Sequence, residues 1–334
     1  MNYTEGRNKM ETKTKAVFSM PLFKQTCKSN LILTIAILLV MCMMANVTNY
    51  AMSIMAKETK SEIDENIMEE LYSYINNSSG GESLGRGQPD SDEIANAILS
   101  EAGISTDNID KMKGIDFTVF FNKIYFTVIG MLPPFIFIII AAYMLIAGQV
   151  DKGSMAYILS TPTKRSAVAI TQASYMIIAP LLLMSIVCVV RCISTKLFFG
   201  EVNIPRTILL YLGMYLVTEA AAGICYMFSC IFNQSSKSLG VGGGITVWFF
   251  LASLLGMFGS EDLVNMGVGA EILNIFNKLT IISLFDATAV QTIETSSVDT
   301  GFIPGMIILI VISATCYIAG AVKFCKKDLP LYEL

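Results

Sequence analysis

Few residues in this chain could carry chemistry. Histidine is absent from all 334 residues. That excludes a serine–histidine triad, a histidine-ligated metal and a histidine general base. One carboxyl stands out instead. Glu219 lies in the middle of the apolar run LGMYLVTEAAAGICYMF. A charge there costs at least about 2.5 kcal/mol if the run crosses a bilayer. Such residues face a bundle interior, a cavity or a partner. Gln172 and Arg191 are the candidate partners within the sequence. Two readings of Glu219 stand: a carboxylate on a substrate or proton path, and a hydrogen-bonded packing residue. An intramembrane enzyme is disfavoured, because there are no paired intramembrane carboxylates and no G-x-S-x-G within an apolar run, the spacing Gly81 to Gly85 falling in a polar stretch. A potassium-type channel is disfavoured by the lack of a T-V-G-Y-G filter.

A second stretch with chemical spacing is GQVDKGSMAYILSTPTKR, from Gly148 to Arg165. G-x-x-x-x-G followed by Ser resembles a phosphate-binding loop. The lysine that would reach the phosphates is missing, and no strand precedes the loop. The stretch reads better as a helix from Lys152 to Ser160, closed by Thr161-Pro162, since the residue before proline avoids helical backbone. Met155, Tyr157, Ile158 and Leu159 give that helix a partly apolar surface. Lys164 and Arg165 follow it. A short helix between two apolar stretches suits docking into a partner's groove.

The eight cysteines read as small packing residues. None falls in the two long polar segments 51–117 and 259–300, where a disulfide framework would be needed. Cys188 and Cys192 are one helical turn apart.

The elements that must position these residues are helices in a bilayer. The chain is 54% apolar and only 15% charged, with mean hydropathy +0.60, where soluble domains carry about 25% charged residues. A helix needs roughly 20 apolar residues to span the hydrocarbon core. Six stretches qualify: Leu31–Tyr50, Phe120–Gly148, Ala167–Val190, Ile208–Phe232, Leu239–Phe258 and Phe302–Val322. The first is too long for the apolar core of a signal peptide, and we read it as a retained span. Pro133-Pro134 predicts a break in the second. Gly240 and Gly242 to Gly244 open the fifth and allow close helix approach or bending, with plain packing as the simpler reading.

Charge orients the bundle. With six spans, residues 1–30, the loop 149–166, the loop after span four and the tail 323–334 share one side. They hold 13 basic and 5 acidic residues, against 10 basic and 21 acidic on the other side. The net charge of −4 conceals this separation. The rule that basic loops stay inside places both termini in the cytoplasm of a plasma-membrane protein.

Of the polar segments, residues 16–30 suit a short helix in the membrane interface. Phe18, Met20, Leu22, Phe23 and Cys27 form its apolar side. Residues 51–119 form a helical extracellular segment. Ile63, Ile67, Leu71 and Ile75 make one stripe, 76–92 is a linker and Glu93–Gly103 a second helix. The loop 259–301 contains Leu279–Val290, too short to span and suited to an interfacial or re-entrant helix.

With its order of parts, the chain resembles the permease (transmembrane) subunits of the type 2 family of ATP-binding cassette (ABC) transporters. The loop resembles that family's coupling helix: an acidic residue, a glycine, a short helix, then Leu-Ser-x-Pro and a basic residue. Here these are Asp151, Gly153, Leu159, Ser160, Pro162 and Arg165. The family often has Glu and Gly-Thr where this chain has Asp151-Lys152-Gly153-Ser154. The ending from Gly320 through Phe324 to the basic pair Lys326-Lys327 and Asp328 is also similar. The basic lead, the six spans and the large segment after span one fit as well. The resemblance implies an all-α membrane protein that moves a substrate outward using ATP hydrolysed by a separate subunit. It implies an ABC ATP-binding subunit and a second permease copy or paralogue as partners, with ATP and magnesium on the partner and no cofactor in this chain. Asp151, Gly153, Met155, Tyr157, Ile158, Leu159, Pro162 and Arg165 would couple to the ATPase, and Glu219 would lie on the substrate path. Nothing points to nucleic acid. A membrane sensor or assembly factor, with 51–117 as its receptor part, is the alternative.

Overall fold

The computed structural model describes residues 18–64, 117–160, 163–265, 269–291 and 301–327. The linker 76–92, the helix expected at 93–103, Thr161-Pro162, and Asp328 with the rest of the tail lie outside them. The described chain is mostly helical, with no strand among those residues. Its helices are α1 (Met20–Ser29), α2 (Leu31–Asp64), α3 (Phe117–Ile124), α4 (Leu132–Leu145), α5 (Ala147–Asp151), α6 (Ser154–Ser160) and α7 (Arg165–Phe199). They continue with α8 (Ile204–Ile231), α9 (Ser235–Ser238), α10 (Gly244–Met257), α11 (Glu261–Asn265), α12 (Ala287–Gln291) and α13 (Ile303–Lys326). Six segments are long and apolar enough to cross a membrane: Leu31–Ile54, Phe121–Asp151, Arg165–Phe199, Ile204–Ile231, Ser235–Met257 and Ile303–Lys326. They are the six expected spans, most with longer ends. α7 runs through Pro180 without ending.

Burial ranks the spans. In α8, 67% of the membrane-length window is buried, against 17% in the first span and 22% in the last. α8 is the central helix, and its small residues explain why. Ala220, Ala221 and Ala222 are fully buried. A Cβ on Gly223 would lie 3.2 Å from Cys316 Cβ, and one on Gly320 would lie 3.0 Å from Met227 Cα. These glycines let α8 and α13 approach backbone to backbone, the packing that replaces a hydrophobic driving force in lipid.

The second span breaks near Pro133-Pro134, one turn before the prolines. A π-helical turn, Tyr125–Ile129, follows α3, and the Gly130 N–H returns to the Tyr125 carbonyl at 2.7 Å. Pro133 and Pro134 then occupy the first turn of α4, where a missing N–H leaves no bond unmade.

α1 is a separate short helix packed on α7. The Ser19 N–H donates to Thr171 Oγ1 (3.0 Å), and Phe23 meets the Tyr175 ring edge-on at 6.3 Å. Leu22 is buried, but so is Thr26, while Met20 of the expected apolar side is exposed. The helix faces protein with a mixed surface.

Where one short helix is expected at Leu279–Val290, the chain forms a 3-10 turn at Ile282–Leu284 and then α12, and a 93° bend separates these from a preceding 3-10 helix, Glu271–Leu279. Thr280 forces the bend: its Oγ1 donates to the Phe249 carbonyl (2.8 Å) and accepts from the Ile282 N–H (3.2 Å). Asp286 then caps α12 by accepting from the Thr288 and Ala289 N–H groups (2.9 and 3.1 Å). Ile282 and Phe285 are buried in the bundle.

Candidate functional site

The loop between spans two and three begins at a second break in the helix. Ile146 leaves the helical region (φ −121°, ψ −66°). A break of this kind strands backbone groups in a buried place, and each needs a partner. Ser229 of α8 supplies two. Its Oγ accepts from the Ala147 N–H (3.1 Å) and donates to the Ala142 carbonyl (2.7 Å). Gln172 of α7 supplies another, its Nε2 donating to the Leu145 carbonyl (2.5 Å) and to Gln149 Oε1 (3.0 Å). The break is therefore fastened to two neighbouring spans.

Beyond it, Gly153 takes a left-handed φ of +72° with nothing near where a Cβ would stand. Its need for glycine is conformational: other L-residues lose roughly 1–2 kcal/mol there. That turn swings the chain into α6. Ser154 Oγ donates back to the Gln149 carbonyl (3.1 Å). At the other end, Ser160 Oγ donates to the Tyr157 carbonyl and Thr163 Oγ1 to the Ile158 carbonyl, both 2.8 Å. These hydroxyls satisfy carbonyls that the helix terminus leaves open.

The faces of α6 differ from the sequence expectation in one respect. Met155 is 3% exposed and Ile158 packs half-buried against the same core. Residues at i and i+3 share a face, and this one is turned toward the chain's own bundle. Met155 is thus an anchor instead of an outward contact. Tyr157, 73% exposed, points away. The Leu159 side chain and Pro162 lie outside what the structure describes.

Asp151 and Arg165 flank this loop, and both make contacts within the chain. Asp151 Oδ2 accepts from the Ser235 N–H (3.3 Å) and from the Ser235 hydroxyl. This places a carboxylate at the N-terminus of span five, where the helix dipole favours negative charge. Arg165 Nη1 donates to the Lys327 carbonyl (2.7 Å), and Lys327 Nζ donates to the carbonyls of Cys230 and Ile231 (3.2 and 2.5 Å). Lys327 caps the C-terminus of α8, and partial burial pulls its ammonium below the ordinary lysine value. The ends of spans two through six are thereby tied into one cluster.

Glu219 lies within the α8–α13 seam at 4% exposure. Tyr317 donates to its Oε2 (3.2 Å), and Oε1 has no hydrogen-bond partner among the described residues. Tyr226 packs on Tyr317 with ring centroids 5.2 Å apart. Neither expected partner reaches it. Gln172 is engaged at the Ile146 break, and Arg191 bonds Ala45 and Asn122 near the far end of α7. The structure thus gathers the loop residues at one end of the bundle and sets Glu219 apart, in the seam.

Ser229, Tyr317 and Ser235 were not among the sequence-derived site residues. The available signal was their polarity: a hydroxyl inside an apolar span needs a partner.

A family model described as ABC-2 family transporter protein matches residues 23–329. No curated protein and no solved structure matches the chain.

Proposed function

We propose that this chain, which belongs to the ABC-2 family of transporter proteins, is the membrane-spanning permease of an exporter driven by ATP hydrolysed on a separate subunit. It is a multi-pass membrane permease. The observation that carries the coupling role is the build of the loop. α6 is set apart by the left-handed Gly153 and presents Tyr157 outward, while its base is bonded to α7 and α8 through Gln172 and Ser229. A partner ATPase pressing on Tyr157 would move α5 and α6 together. The displacement would reach α8 through Ser229, span five through Asp151, and the α8 terminus through Lys327.

In this reading the loop side is cytoplasmic, in keeping with its excess of basic residues. Both termini share that side of the plasma membrane, and a second permease copy or paralogue completes the transmembrane part. Glu219 lies on the substrate path. Rearrangement of the α8–α13 seam would expose its unpartnered Oε1. Glu219→Gln keeps an acceptor for Tyr317, so assembly should persist while transport changes. Unchanged transport at normal expression would reduce Glu219 to packing.

The deciding experiment is affinity purification of the chain from its native membrane. A P-loop ATPase should co-purify, and reconstituted together the two should hydrolyse ATP in step with transport. Purification without an ATPase, with transport intact, would overturn the proposal.

A further inference from the structure

The far end of the bundle holds a pocket of about 280 Å³ that none of the loop residues lines. Its walls come from α2, α3, α7, α8 and α12, and Arg191 is built into them at 4% exposure. The Arg191 guanidinium lies over the Tyr125 ring, 4.4 Å from the centroid. Nη1 donates to the Ala45 carbonyl (3.2 Å), and Nη2 donates to Asn122 Oδ1 (2.8 Å) with Met52 Sδ at 4.0 Å. All of these acceptors are neutral. Arginine carries five N–H donors; these contacts use three, and the further side-chain partner is the Tyr125 hydroxyl, also neutral. A buried cation is ordinarily matched by an anion, because a neutral cage leaves most of its desolvation uncompensated.

The pocket offers further recognition. Arg206 also lines it, half-buried. Thr195 Oγ1 accepts from Asn49 Nδ2 (3.0 Å), which leaves the Thr195 hydroxyl proton for a ligand. Glu201 is the one acid among the lining residues, and it is exposed. Depth narrows the chemistry. At 1.5 Å per residue, Arg191 lies about 39 Å along α7 from Arg165. A bilayer with its headgroups is about 40–45 Å thick. Arg191 therefore stands at the level of the far headgroups, where lipid phosphates lie, but inside the protein.

We propose that this pocket binds a phosphate group, with Arg191 as the buried donor. The planar guanidinium suits two oxygens of one phosphate. The ligand is the headgroup of a phospholipid or a soluble phosphate compound, and its recognition does not depend on which subunit hydrolyses ATP.

The test uses the full chain in dodecyl maltoside micelles, which contain no phosphate. One arm adds inorganic phosphate against chloride at equal ionic strength. The other dopes the micelles with phosphatidylglycerol. Thermal melting is read in both. We expect a saturable rise in melting temperature in at least one arm. A rise with inorganic phosphate assigns a soluble ligand, and a rise with phosphatidylglycerol alone assigns a lipid. The apparent affinity should fall at least tenfold in Arg191→Lys and be lost in Thr207→Trp, which fills the pocket and leaves the Arg191 contacts in place. Glu201→Gln should strengthen binding. No shift in either arm overturns the proposal. So does a shift that Thr207→Trp retains in full, and that variant decides the matter even if Arg191→Lys does not fold.

Discussion

At the end carrying α5 and α6, Ser229, Gln172, Asp151, Arg165 and Lys327 tie the termini of five spans together. At the far end, Arg191 meets only neutral acceptors among the described residues, beside a pocket. The difference follows from what each end must do with stranded polar groups. The break at Ile146 frees backbone amides and carbonyls, and the chain answers each with a side chain from a neighbouring span. The result is a rigid cluster that can transmit displacement. The far end leaves a buried cation without an anion among the described residues, which suits binding instead.

The contrast can be broken at its stiffest points. Gly153→Pro should have the largest effect. The proline ring fixes φ near −65°, opposite in sign to the +72° found here. α6 would then leave its seat, and we expect the coupling of ATP hydrolysis to transport to be abolished in a reconstituted complex. Near-normal coupling would show that α6 is not the contact. Next comes Ser229→Ala. It strips partners from the Ala147 N–H and the Ala142 carbonyl, both held at the break. Leaving such groups unsatisfied costs about 1–3 kcal/mol, visible as a lower melting temperature. A change within error would mean that the break is held by other contacts. The smallest effect belongs to Asp151→Asn. Its carboxylate is exposed, so the charge at the start of span five contributes under about 1 kcal/mol. A larger loss of stability would place Asp151 in a buried network.

Much of the architecture was legible in the sequence, because hydropathy over a bilayer-length window depends on composition and little else. All six spans and the break in the second were in place. The short helix expected at Lys152 to Ser160 is present but starts at Ser154, because Gly153 takes a left-handed φ. The pairings were not legible. Gln172 and Arg191 are the polar candidates that the sequence offers Glu219, yet it bonds Tyr317 of the last span. Which residues meet across two helices depends on rotation and register, and those are set by close approaches such as Gly223 and Gly320. The inward turn of Met155 escaped for the same reason: periodicity identifies an apolar face but not which body covers it. In the loop before the last span, hydropathy allows one helix at Leu279–Val290, but Thr280 and Asp286 bond backbone groups there, and such local competition breaks it.

The central claim is that the outward face of α6 meets the ATPase. The most direct measurement places a photo-crosslinking amino acid at Tyr157 in the native membrane, with a control at Leu197, 78% exposed near the far end of α7. The account predicts a crosslink from Tyr157 to a P-loop ATPase subunit and none from Leu197. No ATPase adduct from Tyr157, or equal yield from both positions, would contradict it.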